Sequence, residues 1–207
     1  MGAEGKRLSL LDWRRRVFAL YADVRRTRAS DPAAAHALWR DGRNTMFGTH
    51  PDSPLPPERR ATFGGLSVAP YDPAFSFEAD IAAAGEASFT TVTGTDGSVP
   101  FTRLGTAELP GLGSLDVWWV AVYGGGVFVP LKDATSGQST YGGGRYVLDT
   151  VKGADLGGDT SVGRLVLDLN FAYNPSCAYD EAWACPLAPP GNTVAAAVTV
   201  GELGWRQ

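Results

Sequence analysis

Cysteine, histidine and methionine each occur only twice in 207 residues. No stretch offers 18 uninterrupted apolar residues, and Met1 to Arg16 contains no long apolar run, so neither a membrane span nor a secretory leader is expected. A soluble, cytoplasmic protein follows, in which two cysteines read as thiols rather than as a disulfide staple. The G-x-S-x-G elbow, the H-E-x-x-H pair and the dinucleotide fingerprint are all missing; no cofactor is indicated and no reaction is named.

Glycine, by contrast, is abundant, with 26 residues, and proline contributes 14. Hydrophobic residues at 44% and charged residues at 19% describe a globular chain with many turns. The net charge of −4 conceals an asymmetry: residues 1–60 carry +5 and residues 61–207 carry −9. A basic helical arm on an acidic β body accounts for this. Nucleic-acid binding does not, because the β half lacks basic residues among exposed aromatics.

Trp13, Val17, Leu20, Tyr21 and Val24 recur at helical spacing, with Arg14, Arg15, Arg16, Arg25 and Arg26 mostly off that stripe, which predicts a helix over 9–28. Asp31 then supplies an N-cap and Pro32 a first helical position for a second helix reaching about Arg43. The proline-rich stretch Thr49 to Pro57 cannot be regular helix or central strand, since proline lacks a donor and restricts its predecessor.

Beyond it the period becomes extended. Strands are expected over 76–81, 88–93, 99–104, 116–123, 127–131, 145–151, 163–171 and 193–200, with Thr95-Asp96-Gly97 and Gly124-Gly125-Gly126 as hairpin turns. The fold class is α+β: two N-terminal helices, then a mainly antiparallel β-sandwich or partly open β-barrel. The divisions are a helical arm (1–48), a crossing loop (49–62) and a β-rich domain (63–207), integrated as one unit.

Leu165, Leu167, Leu169 and Phe171 alternate with Arg164, Val166, Asp168 and Asn170. An antiparallel pairing with the strand from Arg145, placing Tyr146 beside Leu169 and Leu148 beside Leu167, unites two apolar faces. It also sets Arg145 opposite Asn170 and diagonal to Asp168. A guanidinium fork oriented by a carboxylate suits a carboxylate or phosphate ligand; the competing interpretation is an exposed cross-strand ion pair of little energetic value.

Gly142-Gly143-Gly144 before Arg145 offers successive amides for an anion nest, but it lacks a P-loop lysine and a following helix, so a glycine turn is the simpler interpretation. Asp133 to Gly137 reads as an Asx-type turn with hydroxyls to spare. Cys177 and Cys185, with seven residues between them, do not have zinc-knuckle spacing. They suit packing thiols or a local disulfide, or a metal site completed by His50 or Asp168. His36 sits in the alanine-rich second helix as a structural or solvent-facing residue. That leaves His50, in the proline-rich loop, as the available acid or base.

These residues resemble an uncharacterised bacterial family catalogued as domain of unknown function 1684. The resemblance rests on Asp133, Thr135, Ser136, Gly137, Thr140, Tyr141, Gly144, Arg145 and Tyr146, then Asp168, Asn170, Asn174, Pro175, Cys177, Tyr179, Cys185, Pro186 and Asn192, closing with Gly201-Glu202. Upstream, Trp39-Arg40, His50, Ser53-Pro54-Leu55 and Asp72-Pro73 also fit. The family usually shows Phe where Leu169 stands, and Pro, Glu and Arg where Ala188, Gly191 and Thr193 stand; an acidic ligand contact missing at 191 would alter specificity. The resemblance implies that the polar residues form a family pattern, and it implies no reaction.

The expected site therefore binds a small, anionic molecule through Arg145, Asn170, Tyr141, Thr140, Asp133 and Asn174, with His50 and Asp168 as catalytic groups should the protein be an enzyme. Two alternatives stand beside it: a metal protein using Cys177, Cys185 and His50, and an interaction module docking through the basic N-terminal helix onto an acidic partner or a second copy as a homodimer. A flavin-binding split barrel is a further architectural alternative.

Overall fold

A computed structural model describes residues 3–94 and 97–205; the Thr95-Asp96 part of the expected hairpin turn lies outside the described residues. Helix α1 spans Ala3–Arg28 and helix α2 spans Pro32–Thr49. Asp31 caps α2 as expected, its carboxylate accepting the Ala34 amide at 2.9 Å. The helix continues past Arg43 because Met46 and Phe47 prolong the buried face begun by Trp39. The crossing loop is knitted together by Arg60, which donates to the carbonyls of His50, Pro51 and Leu55 at 3.1 Å each.

Among the described residues eight strands follow: β1 Ser76–Ala82, β2 Ser88–Thr93, β3 Gly97–Leu109, β4 Gly113–Val120, β5 Gly126–Leu131, β6 Arg145–Asp149, β7 Gly158–Asp159 and β8 Arg164–Asp168. They form one antiparallel sheet in the order β6-β5-β4-β3-β1-β8-β7, with β2 attached to β3. Strand β3 organises it. One edge pairs with β4, and the other is shared by β2 along Gly97–Thr102 and by β1 at Thr106 and Ala107. A register shift between Arg103 and Gly105 adds local twist, and the sheet curls into a half-barrel.

Leu115, Val117, Val129, Leu131, Leu148, Leu165, Leu167 and Leu169 fill the concave interior. The predicted alternation is realised for Leu165, Leu167 and Leu169. Val166 turns the other way, into a second core with Tyr21 and Val24 of α1 and Trp39 of α2, and Phe171, expected on the leucine face, joins it there because the strand gives way to a 3-10 turn after Asp168. A third cluster stacks Phe101, Trp118, Phe128 and Tyr146.

Three expectations are overturned. Strand β6 pairs with β5, Leu131 opposite Arg145, while β8 pairs with β1, Ser76 opposite Asp168; the hairpin joining Arg145 to Asn170 does not form. Alternation marks a buried face without naming its partner, and Phe77, Ala79 and Ile81 of β1 carry the same period as β8. The segment Thr193 to Val200 is not a strand. Apart from one bridge at Lys132 and Thr193, it runs irregularly: Thr193, Val194 and Ala196 bond to backbone, while Val198 and Val200 bond to the side chains of Arg145 and Asp133. The strand expected to reach Phe171 stops at Asp168, whose carboxylate accepts the Asn170 amide at 3.1 Å and starts a 3-10 turn, Leu169–Phe171.

Candidate functional site

With β6 on β5, Arg145 faces Asp133 instead of Asp168. The two are 3.2 Å apart, and neither side chain is exposed. The guanidinium also donates to the carbonyls of Val198 (2.9 Å), Val200 and Glu202 (3.3 Å). Asp133 in turn accepts the Thr135 amide and hydroxyl at 3.1 and 2.7 Å and the Val198 amide at 2.8 Å, and Thr135 meets the Thr140 hydroxyl at 2.9 Å. Three of the expected ligand contacts, Arg145, Asp133 and Thr140, thus lie in a closed network that fastens residues 198–202 to the half-barrel.

Asp168 and Asn170 form a separate, fully buried pair, with 2.8 Å between the Asn170 amide nitrogen and Asp168 Oδ1. Asp168 Oδ2 accepts from Ser76 at 2.8 Å and lies 3.4 Å from both Arg28 Nε and Tyr71 Oη. The Asn170 side chain clasps the backbone of Asp72, accepting from its amide and donating to its carbonyl at 2.8 Å each. His50 occupies a third place. Its Nε2 is 3.2 Å from Asp12 Oδ2, its Nδ1 accepts the Asp52 amide at 3.1 Å, and its ring meets Trp13 edge-on. Among the described residues, no group of three His, Cys, Asp or Glu side chains converges as metal ligands would.

A cleft of about 90 Å³ lies where α1 and α2 meet the half-barrel, lined by Trp13, Val17, Tyr21, Arg43, Phe47, Tyr146, Asp149, Lys152, Tyr173, Asn174, Ser176, Tyr179 and Cys185. Arg43 is central. Its guanidinium lies 5.1, 5.0 and 4.9 Å from the ring centres of Trp39, Phe47 and Tyr173 and pairs with Glu202 at 2.7 Å. Glu202 also accepts from the Tyr179 hydroxyl and, at 3.2 Å, from the Asn174 amide. Arg43 Nε and Asn174 Oδ1 are buried without a hydrogen-bond partner. Burial raises the phenols of Tyr146, Tyr173 and Tyr179 well above the ordinary tyrosine value and that of Tyr21 to about 12, so all four stay protonated at neutral pH.

Of the expected ligand contacts, only Asn174 lines this cleft. Arg43, Tyr173 and Glu202 were missed as contacts. Glu202 carried a signal, a lone acidic residue in the closing Gly201-Glu202 pair, but nothing in a helical stripe distinguishes Arg43 from its solvated neighbours. Thr140 and Tyr141 border a different, more open trough of about 330 Å³ with Ser67, Gln138, Leu203 and Trp205. From there the Tyr141 hydroxyl reaches Cys177 Sγ at 3.6 Å.

The family model described as "Protein of unknown function (DUF1684)" matches residues 61–203. The chain belongs to the DUF1684 family. The matched region takes in the described strands together with Arg145, Asp168 and Glu202, while α1 and α2, with Arg28 and Arg43, precede it. The solution NMR structure of an uncharacterised protein of Haloarcula marismortui is similar, with 32% identity, a TM-score of 0.53, and coverage of 79% of this chain and 89% of that one. No curated protein matches. The DUF1684 relationship thus accounts for the fold and assigns no activity.

Proposed function

We propose that this protein binds a small carboxylic acid or amide in the cleft between its helical arm and half-barrel. Arg43 and Asn174 supply the polar contacts, and Trp13, Phe47 and Tyr173 pack the apolar part of the ligand. The observation that carries the reading is the pair of unpartnered atoms, Arg43 Nε and Asn174 Oδ1, on two residues of the same cleft wall. A buried polar atom without a partner costs about 1–3 kcal/mol. A ligand offering an acceptor to one and a donor to the other recovers that cost, which an amide or a protonated acid does.

Arg43 takes the role first expected of Arg145, whose guanidinium a ligand would reach only by displacing Asp133 and three carbonyls. Because Glu202 already balances Arg43, an acceptor oxygen suffices and a full negative charge is not required. The volume accommodates about three waters at ~30 Å³ each, hence only a few heavy atoms. Asp149 and Lys152 also line the cleft.

Saturation-transfer NMR with a panel of short-chain and aromatic carboxylic acids and amides tests this. Transfer to at least one compound is expected from wild type and not from Ser176→Trp, which walls off the cleft while leaving Arg43 and Asn174 in place. Equal transfer from both proteins, or none from wild type, overturns the reading.

A further inference from the structure

The trough beside Thr140 and Tyr141 is a second cavity, about 330 Å³ against about 90 Å³ for the cleft, and the two share no lining residue. Backbone hydrogen bonds fix its walls. The Thr135 carbonyl accepts the amides of Gln138, Ser139 and Thr140 at 3.0, 3.1 and 3.2 Å, and the Thr140 carbonyl accepts the Gly137 amide at 3.0 Å. The closing segment is tied on both sides, Leu203 donating to the Ser67 carbonyl and Gly204 to the Ser139 carbonyl at 2.8 Å each. Trp205 then packs on Phe63 and Tyr179, with ring centres 6.0 and 5.6 Å apart. The trough is thus formed in advance of any ligand, which lowers the ordering cost of binding.

Its chemistry is narrow. Among the described residues no charged side chain lines it, and burial raises the Tyr141 phenol to about 12, so that group is neutral as well. Ser67 and Ser139 are exposed, and their hydroxyls make no hydrogen bond among the described residues. The Gln138 amide nitrogen donates to the Ala134 carbonyl at 3.1 Å, which leaves its side-chain oxygen as an acceptor. Gly142 adds no side chain, although neither conformation nor packing demands glycine there. Its φ is not in the left-handed region, and a Cβ would meet only Gly137, another lining residue, at 3.6 Å, an ordinary contact. The effect of glycine at 142 is to leave the trough open.

We infer that the trough binds a neutral polyhydroxylated ring of the monosaccharide class. A hydroxyl both donates and accepts, so the ring hydroxyls of a sugar match Ser67, Ser139 and the Gln138 oxygen, groups otherwise left to water. The C–H groups of the ring pack on the apolar share of the lining, Leu203 and the Trp205 indole. A charged ligand would lose hydration without meeting a counter-charge, and a wholly apolar one would cover the hydroxyls without bonding them. The volume corresponds to about eleven waters at ~30 Å³ each, close to the heavy atoms of one sugar ring with its substituents.

Saturation-transfer NMR on the full chain tests this with glucose, galactose, mannose, xylose and N-acetylglucosamine, beside glucuronate, glucosamine and uracil. Saturable transfer to at least one neutral sugar is expected, with little to the charged analogues or to uracil. Gly142→Trp and Ser139→Trp fill the trough from two positions and should each abolish the transfer, while circular dichroism melts check that they fold. Gln138→Ala, at an exposed position, should weaken binding roughly three- to tenfold, the worth of one neutral hydrogen bond. Ser176→Trp, which closes the cleft, should leave the sugar signal unchanged, so this inference and the cleft reading fail separately. Four results overturn the inference: no transfer to any neutral sugar, undiminished transfer in a folded Gly142→Trp or Ser139→Trp, unchanged affinity in Gln138→Ala, or equal or stronger transfer to glucuronate, glucosamine or uracil.

Discussion

Arg145 and Asp133 form a 3.2 Å ion pair from which water is fully excluded, assembled across the β5–β6 pair: Arg145 opens β6 opposite Leu131, and Asp133 follows two residues beyond that leucine. Its geometry serves the backbone. Between them the two side chains satisfy the carbonyls of Val198, Val200 and Glu202 and the amide of Val198, in a segment that belongs to no strand, and Asp133 also accepts the Thr135 amide of its own turn. Breaking such a pair from one side costs about 3–5 kcal/mol because the surviving charge stays buried. Arg145→Met should therefore lower the urea-unfolding free energy by that amount, and Arg145→Met with Asp133→Leu should cost less than the sum of the two single changes.

Gly201 is required twice over. Its φ of +77° lies in the left-handed region, and a Cβ would stand 2.8 Å from the carbonyl oxygens of both Leu169 and Ala172. Conformation alone costs about 1–2 kcal/mol for alanine, and the overlap with two backbone atoms adds to it. Gly201→Ala is expected to shift the urea midpoint downward by more than Gly111→Ala, which has a similar φ of +82° but open space around it.

His36 makes stability depend on pH. Burial pushes its imidazole below the ordinary histidine value of 6.5, with Arg40 in the same direction and the Asn170 backbone and Asp168 opposing. Its ring packs against Trp39, Tyr71 and Phe171. A depressed folded value means that the unfolded chain binds the proton more readily. The contribution is complete above about 6.5 and is lost as pH falls toward and through the lowered value. Urea denaturation between pH 7.5 and pH 5 should show a smaller loss of stability for His36→Gln than for wild type.

Gly191 and Asp116 share one space. A Cβ at 191 would lie 2.0 Å from Asp116 Oδ2, and that carboxylate pairs with Arg103 at 3.2 Å. The space that a side chain at 191 would need is filled by a carboxylate from β4. Gly191→Ala is expected to cost about 1–3 kcal/mol, as overpacking does, and to cost less in an Asp116→Ala background. A double-mutant cycle from denaturation curves measures the difference.

Much of this molecule was legible because many signals are local. Asp31 and Pro32 announce the start of α2 whatever surrounds them, and the leucine alternation of β8 identifies its buried face. Asp168 and Asn170 lie two residues apart, and they do meet. What misled was pairing. Arg145 and Asp168 were joined by assuming that neighbouring alternating segments form a hairpin, whereas β8 found β1, more than eighty positions earlier. The cleft was harder still: Arg43, Tyr173 and Glu202 come from separate parts of the chain, and Arg43 and Tyr173 each read alone as an ordinary surface or core residue.

The sequence by itself determined the class of the fold, the helix cap, the positions of six strands within a few residues and the polar pattern shared with the family, since all of these depend on residues close in the chain. Only the tertiary structure decided which charges meet. Several strands offer the same period, so the partner of Arg145 follows from closing the curled sheet around one core. The same closure leaves Arg43 beneath three aromatic rings, contacts that exist only once distant segments have packed.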